Sequence, residues 1–309
     1  MQVHYELSSL PAFRNAVVTI GTFDGVHLGH QEILHALKRQ ALKVNGETVV
    51  ITFDPHPRKI VQPEGSLELI TTLSEKAALL ERQGVDHLVV VPFTREFAAQ
   101  DAEAYVRDFL VGRFHPQSLI IGYDHRFGKG RSGGYELLEQ LQPVYGYTLI
   151  EIPQQLLHSI GISSTKIRQA LKESNVSEAQ ALLGYRFSFE GEVVHGDKLG
   201  RTIGYPTANL SYTDSDKIRL GEGVYAATAE YNGKVIHGML SIGKRPTLND
   251  VIERVEINLF DFTTEIYGER LRVAVWDYLR PQEKYSSLDE LKDQLHRDKE
   301  NAQAVLGRG

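Results

Sequence analysis

Two textures divide this chain of 309 residues, and the change between them limits its possible folds more than any other feature. From residue 16 to about 152, β-rich runs (AVVTI, ETVVITF, DHLVVVPF, SLIIGYD, YTLIEIP) alternate with helix-patterned stretches (QEILHALKRQAL, LSEKAALLERQG, DAEAYVRDFLVGRF, YELLEQLQ). Strands separated by helices are spaced for crossovers rather than hairpins. They imply a parallel sheet covered by helices, with ligands beyond the carboxyl ends of the strands. The helical pattern runs on through STKIRQALKES and VSEAQALLG and stops near Gly184. From Arg186 the runs are extended and alternating: FSFEGEVVHG, GVYAATAEY, KVIHGMLSIG, RVEINLFDF and LRVAVWDYL. Asn232-Gly233 between two of them is a type I′ hairpin signal, so this half is a compact antiparallel sheet or barrel. A last amphipathic helix, SLDELKDQLHRDKENAQAVL, closes the chain. The expected division is 1–184 and 185–309, since the length exceeds one typical core.

Composition narrows the chemistry. The chain is 41% hydrophobic and 24% charged, the balance of an ordinary globular protein. It has no cysteine, which excludes disulfides and Cys-ligated zinc or iron–sulfur sites and fits a reducing compartment. The start MQVHYELSSLPAF lacks a signal pattern, and no apolar run approaches the ~18 residues needed to span a bilayer. A cytosolic location is expected. A net charge of −6 argues against a large nucleic-acid footprint. The expected partners are therefore small molecules, with no nucleic acid and no membrane, for a monomer or weak homo-oligomer.

The run GTFDGVHLGH, residues 21–30, joins the first strand of the alternating half to its helix. Unpaired backbone N–H groups and the helix dipole make such a turn an anion site, and glycines let a phosphate approach the backbone. His27 and His30 on either side of Gly29 add donors aimed at the same oxygens. Two histidines three apart are also compatible with surface or capping roles. A metal site drawn from Asp24, His27, His30, Asp54 and His56 is the sharper rival, but the HExxH spacing is missing. The glycines spell neither GxGxxG nor a Walker A loop. The spelling His27-Leu28-Gly29-His30 resembles the HxGH signature of the nucleotidyltransferase superfamily, which transfers a nucleoside monophosphate.

Further candidates follow later strands. TFDPHP, residues 52–57, has prolines expected to fix a turn and keep His56 and Arg58 out of a helix. GYDHRFGKGRSGG, residues 122–134, carries five glycines with Arg126, Lys129 and Arg131 and reads as a mobile basic flap or a solvated linker. In ISSTKIR, residues 162–168, the hydroxyls of Ser163, Ser164 and Thr165 suit an N-cap. Lys166 and Arg168 oppose the helix dipole and so point to an anion.

Taken in order, GTFDGVHLGH, TFDPHP, GYDHRFGKGR and SSTKIR resemble the FMN adenylyltransferase module of the bacterial bifunctional riboflavin kinase/FAD synthetases. The second half is similar to their kinase module in GYPTAN (204–209), Gly223-Val-Tyr, GKRPT (243–247), Val255-Glu256 and Tyr267-Gly268. His125 and Ser241 stand where the resemblance leads one to expect an aromatic residue and an asparagine. The resemblance implies a Rossmann-like α/β nucleotidyltransferase domain followed by an antiparallel β-barrel kinase domain with a C-terminal helix. It implies ATP and Mg²⁺ at both sites, with riboflavin phosphorylated to FMN and FMN adenylylated to FAD.

On that resemblance Gly21, Phe23 and Gly29 shape the phosphate turn, and His27 and His30 serve the α-phosphate and leaving oxygens. Ser163, Ser164, Thr165 and Arg168 serve the β- and γ-phosphates, while Asp54, His56, Asp124 and Arg126 border flavin or nucleotide. In the second half Glu256 is the base, and Thr207 and Asn209 are the oxygen ligands of Mg²⁺. By facing alone, Glu256 could equally be an ordinary solvent-facing carboxylate, and Pro206 could place Thr207 and Asn209 in an edge-strand turn. Two other readings remain: a single-activity adenylyltransferase with a regulatory β domain, opposed by the Pro-Thr-Ala-Asn turn, and a nucleic-acid-binding protein, opposed by the acidic charge.

Overall fold

A computed structural model describes residues 1–64, 67–153, 161–196, 199–246 and 251–307. The chain separates into two compact units, Met1–Ser164 and Thr165–Gly309.

The first unit is built on β1 (Gln2–His4), β2 (Val17–Ile20), β3 (Thr48–Asp54), β4 (His87–Pro92), β5 (Ser118–Gly122) and β6 (Thr148–Ile152). All pairs are parallel, in the order β1-β4-β3-β2-β5-β6. Side chains alternate between the faces of a strand, so the apolar runs cover both sides of the sheet at once. Val18, Ile20, Val49, Ile51, Val89 and Val91 meet Phe109, Phe114 and Leu138 on one face. Val17, Val50, Leu88 and Val90 meet Leu34 and Leu37 of the helix Leu28–Val44 and Leu80 of the helix Leu73–Arg82 on the other. The chain lays β3 and β4 on one side of β2, then returns to place β5 and β6 on the other. That reversal opens a crevice beyond the ends of β2 and β5.

Three local features depart from the pattern. The three-residue β1 is too short to show alternation. The stretch read as one helix from residue 101 carries a π-helical segment, Tyr105–Val111, between turns of α-helix. TFDPHP does not keep Arg58 out of a helix: Pro57–Val61 is a short helix with His56 at its N-cap, its Nδ1 accepting from Arg58 N at 3.1 Å. Pro57 occupies the first helical position, where its missing N–H costs nothing and its φ is already helical.

In the second unit the helix Val176–Leu183 docks through Gln180, whose Nε2 donates to the carbonyls of Val275 at 3.2 Å and Trp276 at 2.9 Å. The strands are β7 (Ser188–Val194), β8 (Ala208–Tyr212), β9 (Gly223–Tyr231), β10 (Lys234–Pro246), β11 (Val251–Leu259) and β12 (Arg270–Arg280). They close a barrel in the order β10-β11-β8-β7-β12-β9, with antiparallel neighbours throughout. Asn232 and Gly233, both at positive φ, turn β9 into β10 as the dipeptide predicts. The helix Leu288–Leu306 lays Ala302 and Leu306 against Ala226, Met239 and Phe260. Its buried Asp298 takes a bidentate hydrogen bond from Arg280, at 2.7 and 2.8 Å.

Candidate functional site

In the first unit the glycine turn is assembled on a buried carboxylate. Asp24, 1% exposed, accepts from Ile70 N at 3.2 Å and Thr71 N at 3.0 Å, while Thr71 Oγ1 accepts from Gly25 N at 3.0 Å. Gly25 lies at φ +86° against Ile70, so a side chain there is excluded both by conformation and by space. Phe23 and Val26, also at positive φ, are buried and turn the chain into the helix mouth. Gly21 extends the ladder beyond β2, its N–H donating to Ile51 O at 3.0 Å. Gly29 is buried in the first turn of the helix. Ser164, the last residue of the first unit, is tied to the same turn, its Oγ donating to Asp24 O at 3.0 Å.

The two histidines stand at the start of Leu28–Val44. His27 is the N-cap, its Nδ1 accepting from His30 N at 3.3 Å, so the proton of the neutral ring sits on Nε2. The two rings stack 3.7 Å apart at 13°, with Phe23 5.1 Å from His30. His30 Nδ1 is buried without a hydrogen-bond partner among the described residues. Burial first, then His27 and the Lys76 ammonium, hold the His30 imidazole well below its ordinary range. It rests as a neutral group.

The adjacent strand ends complete this edge. Thr52, buried at the end of β3, donates to Thr22 O at 3.2 Å and binds the glycine turn to TFDPHP; Asp54 beyond it is exposed and His56 half-buried. Across the switch point, the loop 122–134 is anchored rather than a free flap. Phe127 is buried on Tyr105, 5.0 Å between centroids, and pairs with Gly133. Asp124 and Arg126 remain exposed at its rim, Arg126 lying 3.6 Å from Glu136. His125 is carried inward beside Phe127, and burial pushes its imidazole down to about 4. Ser163 and Thr165 are exposed, and Arg168 is half-buried. Thr165 and Arg168 belong to the second unit.

Lys76 is the residue that motif reading missed. It is 6% exposed, and its Nζ donates to Thr52 Oγ1 at 3.3 Å. Burial lowers its proton affinity, while Asp24 and Asp54 oppose that shift. A signal was present: Leu73, Lys76 and Leu80 repeat at helical spacing, placing a lysine on the apolar stripe of its helix.

In the barrel, Glu256 on β11 pairs directly with Asn209 on β8, and Ile257 with Ala208. Val255 and Ile257 are buried, and Glu256 between them is half-buried with its carboxylate 3.6 Å from Arg254. Asn258, on the same face, donates to Pro206 O at 2.7 Å and fixes the Pro-Thr-Ala-Asn turn. Gly196 lies so close to Asn209 that a Cβ would come within 2.1 Å of its Nδ2. Thr207 lines a cavity of about 310 Å³ with Val193, Arg201, Ile257, Thr263 and Tyr267. Ser241 is half-buried, its Oγ accepting from Gln282 Nε2 at 2.8 Å. Thr247 of GKRPT lies outside the described residues.

A parallel α/β unit with an HxGH helix mouth, followed by a closed barrel with a carboxylate facing an asparagine, defines a two-domain transferase of small phosphorylated molecules. Residues 10–166 match the FAD synthetase family and residues 183–306 the riboflavin kinase family. The chain is 37% identical to the bifunctional riboflavin kinase/FMN adenylyltransferase of Escherichia coli K12, covering 98% of this chain and 96% of that one. It is 36% identical to the Listeria monocytogenes protein of the same name, covering 95% and 93%. Among solved structures it is similar to a Streptococcus pneumoniae protein described as a macrolide-efflux protein, with TM-score 0.88, 33% identity and 98% coverage of both chains. Among the described residues no helix is long and apolar enough to cross a membrane. The chain belongs to the bifunctional riboflavin kinase/FMN adenylyltransferase family.

Proposed function

We propose that this chain makes FAD in two ATP-dependent steps, phosphorylating riboflavin within 185–309 and adenylylating FMN within 1–184. The observation that carries this reading is that each half has its own set of polar groups, on a fold suited to its step. In adenylyl transfer a phosphate oxygen of FMN bonds to the α-phosphorus of ATP, and the bond to the β-phosphate oxygen breaks to release pyrophosphate. No protein nucleophile is needed, only donors for the developing charge. His27 Nε2–H, His30 and the turn of Gly21, Phe23 and Gly29 serve the α-phosphate. Ser163, Ser164, Thr165 and Arg168 serve the outer phosphates, and Asp54, His56, Asp124 and Arg126 border the flavin and nucleotide.

In the kinase step the terminal ribityl hydroxyl attacks the γ-phosphorus, its proton passes to Glu256, and ADP leaves. Thr207 Oγ1 and the Asn209 amide oxygen are hard donors of the kind Mg²⁺ accepts alongside phosphate oxygens and water, and Mg²⁺ supplies charge neutralisation of the polyphosphate. Among the described residues no group of three His, Asp or Glu is placed to hold a metal ion. The same reading takes the chain as a cytosolic enzyme working on small molecules, as a monomer or weak homo-oligomer. Supplying riboflavin and then FMN with MgATP, and following FMN, FAD, ADP and pyrophosphate by chromatography, tests both steps. FAD from FMN without ADP formation is expected, and a chain that makes neither flavin nucleotide overturns the reading.

A further inference from the structure

Beneath the glycine turn lies a cation that the adenylyl-transfer steps above do not use. Lys76 is 6% exposed, a burial that an ammonium tolerates only when compensated. Of its three donors one reaches Thr52 Oγ1 at 3.3 Å, and its charge is set against Asp24 and Asp54. These groups lie on three segments of the site: Thr52 and Asp54 at the end of β3, Asp24 in the turn, and Lys76 on Leu73–Arg82. Asp24 supports the backbone on which a polyphosphate would sit. Left uncompensated, its buried carboxylate would repel that ligand through a medium of low dielectric, where screening is weak. Near the same ammonium stands His30, whose Nδ1 is buried without an acceptor, so a second ring proton there would be an unsatisfied buried donor.

We propose that Lys76 is a further positioning residue of the adenylyl-transfer site: its buried ammonium, held on Thr52, offsets the Asp24 carboxylate beneath the phosphate turn and adds to the burial that keeps His30 in its neutral, donor-bearing form. It acts through Asp24 and His30. The proposal rests on the adenylyl-transfer reading of the first unit, and its test separates the two.

Lys76→Met in the full chain keeps the length of the side chain and removes its charge. It is expected to lower the turnover of FMN to FAD by about 10- to 100-fold with the KM for ATP changed less than about 3-fold. Riboflavin phosphorylation by the same molecules is expected to stay at the wild-type rate, and an unchanged urea midpoint of the first unit reports that the α/β unit around Lys76 is folded. The His30 imidazole, followed by NMR, is expected to titrate at higher pH in the variant, because a neighbouring positive charge has gone. Wild-type FAD synthesis by Lys76→Met while His30→Ala is inactive overturns the proposal and leaves the reading intact. If both variants are fully active, both fall.

The lack of native cysteine permits a second arm that does not depend on how Lys76→Met folds. Lys76→Cys, alkylated in denaturant with 2-bromoethylamine and refolded, regains an ammonium at nearly the lysine position; alkylation with 1-iodopropane gives the same shape without charge. Recovery of FAD synthesis by the aminoethyl form alone, with His30 titrating as in the wild type, is expected. Equal recovery by the propyl form, or an unmoved His30 titration, shows that Lys76 only fills space and overturns the proposal.

Discussion

The two units gather polar groups in opposite ways. In the α/β unit the groups stand on loops beyond parallel strands, each loop short and local in sequence, and they are brought together because β2 lies between β3 and β5. In the barrel Glu256 and Asn209 are far apart along the chain and meet through strand register alone. A loop site tolerates drift in its framework provided its own hydrogen bonds hold, as those of Asp24 do. A register site fails all at once, because a slip of one residue turns every side chain to the other face.

The sharpest way to break this comparison is to cut the chain. A fragment of 165–309 is expected to fold and phosphorylate riboflavin. One of 185–309 loses the docked helix with Val176 at 1% and Leu183 at 0% exposure. Each such side chain is worth about 1.5–3 kcal/mol, so a loss on the order of 5 kcal/mol is expected, visible as a much lower midpoint in urea. Equal midpoints would move the division to residue 184. Within the intact chain, Glu256→Gln is expected to slow FMN formation by ~10²–10⁴-fold with flavin affinity little changed, as for loss of a general base. FAD formation from added FMN should persist. A fully active variant removes Glu256 from the step.

His30→Ala is the mirror experiment. Losing one well-placed donor to transition-state charge costs about 2.7–4 kcal/mol, so FAD synthesis should fall ~10²-fold or more while FMN formation continues. The smallest effect concerns the anchored loop of the first unit. His125 is held neutral down to about 4 in the folded chain, against an ordinary value of 6.5. The unfolded chain therefore binds the extra proton between those values, and the stability contribution is lost as pH falls from 6.5 to about 4. His125→Phe should flatten that slope, recovering at most roughly 3 kcal/mol at the acid end. Urea midpoints across this range would show it, and an unchanged slope would mean that His125 is already protonated in the fold.

Much of this was legible in the sequence, for reasons that differ by segment. The parallel sheet, the hairpin at Asn232-Gly233 and the HxGH turn could be read because each is specified by residues close together. β8 could not: in Ala-Asn-Leu-Ser-Tyr only Leu210 is fully buried, so no alternation marks it. Arg58 was misread because a proline that ends helices from within starts them at the first position, while His56 stays outside as the N-cap. Lys76 was hidden by its residue type, since a lysine in a helix is ordinarily solvated and only its place on the Leu73–Leu80 stripe marked it as buried. The anchoring of loop 122–134 depends on Phe127 reaching Tyr105, a contact between segments that no local pattern announces.

Closure of the barrel has a consequence for how the chain behaves among its own copies. Every barrel strand has two partners, so that unit offers no row of free backbone donors and acceptors to a neighbouring chain. The open sheet has two such borders. One is shortened to the three residues of β1, and the other, β6, turns out Thr148 and Glu151. A charge and a truncated border are the ordinary defences against strand addition, and here the unit that cannot close on itself is the one that carries them.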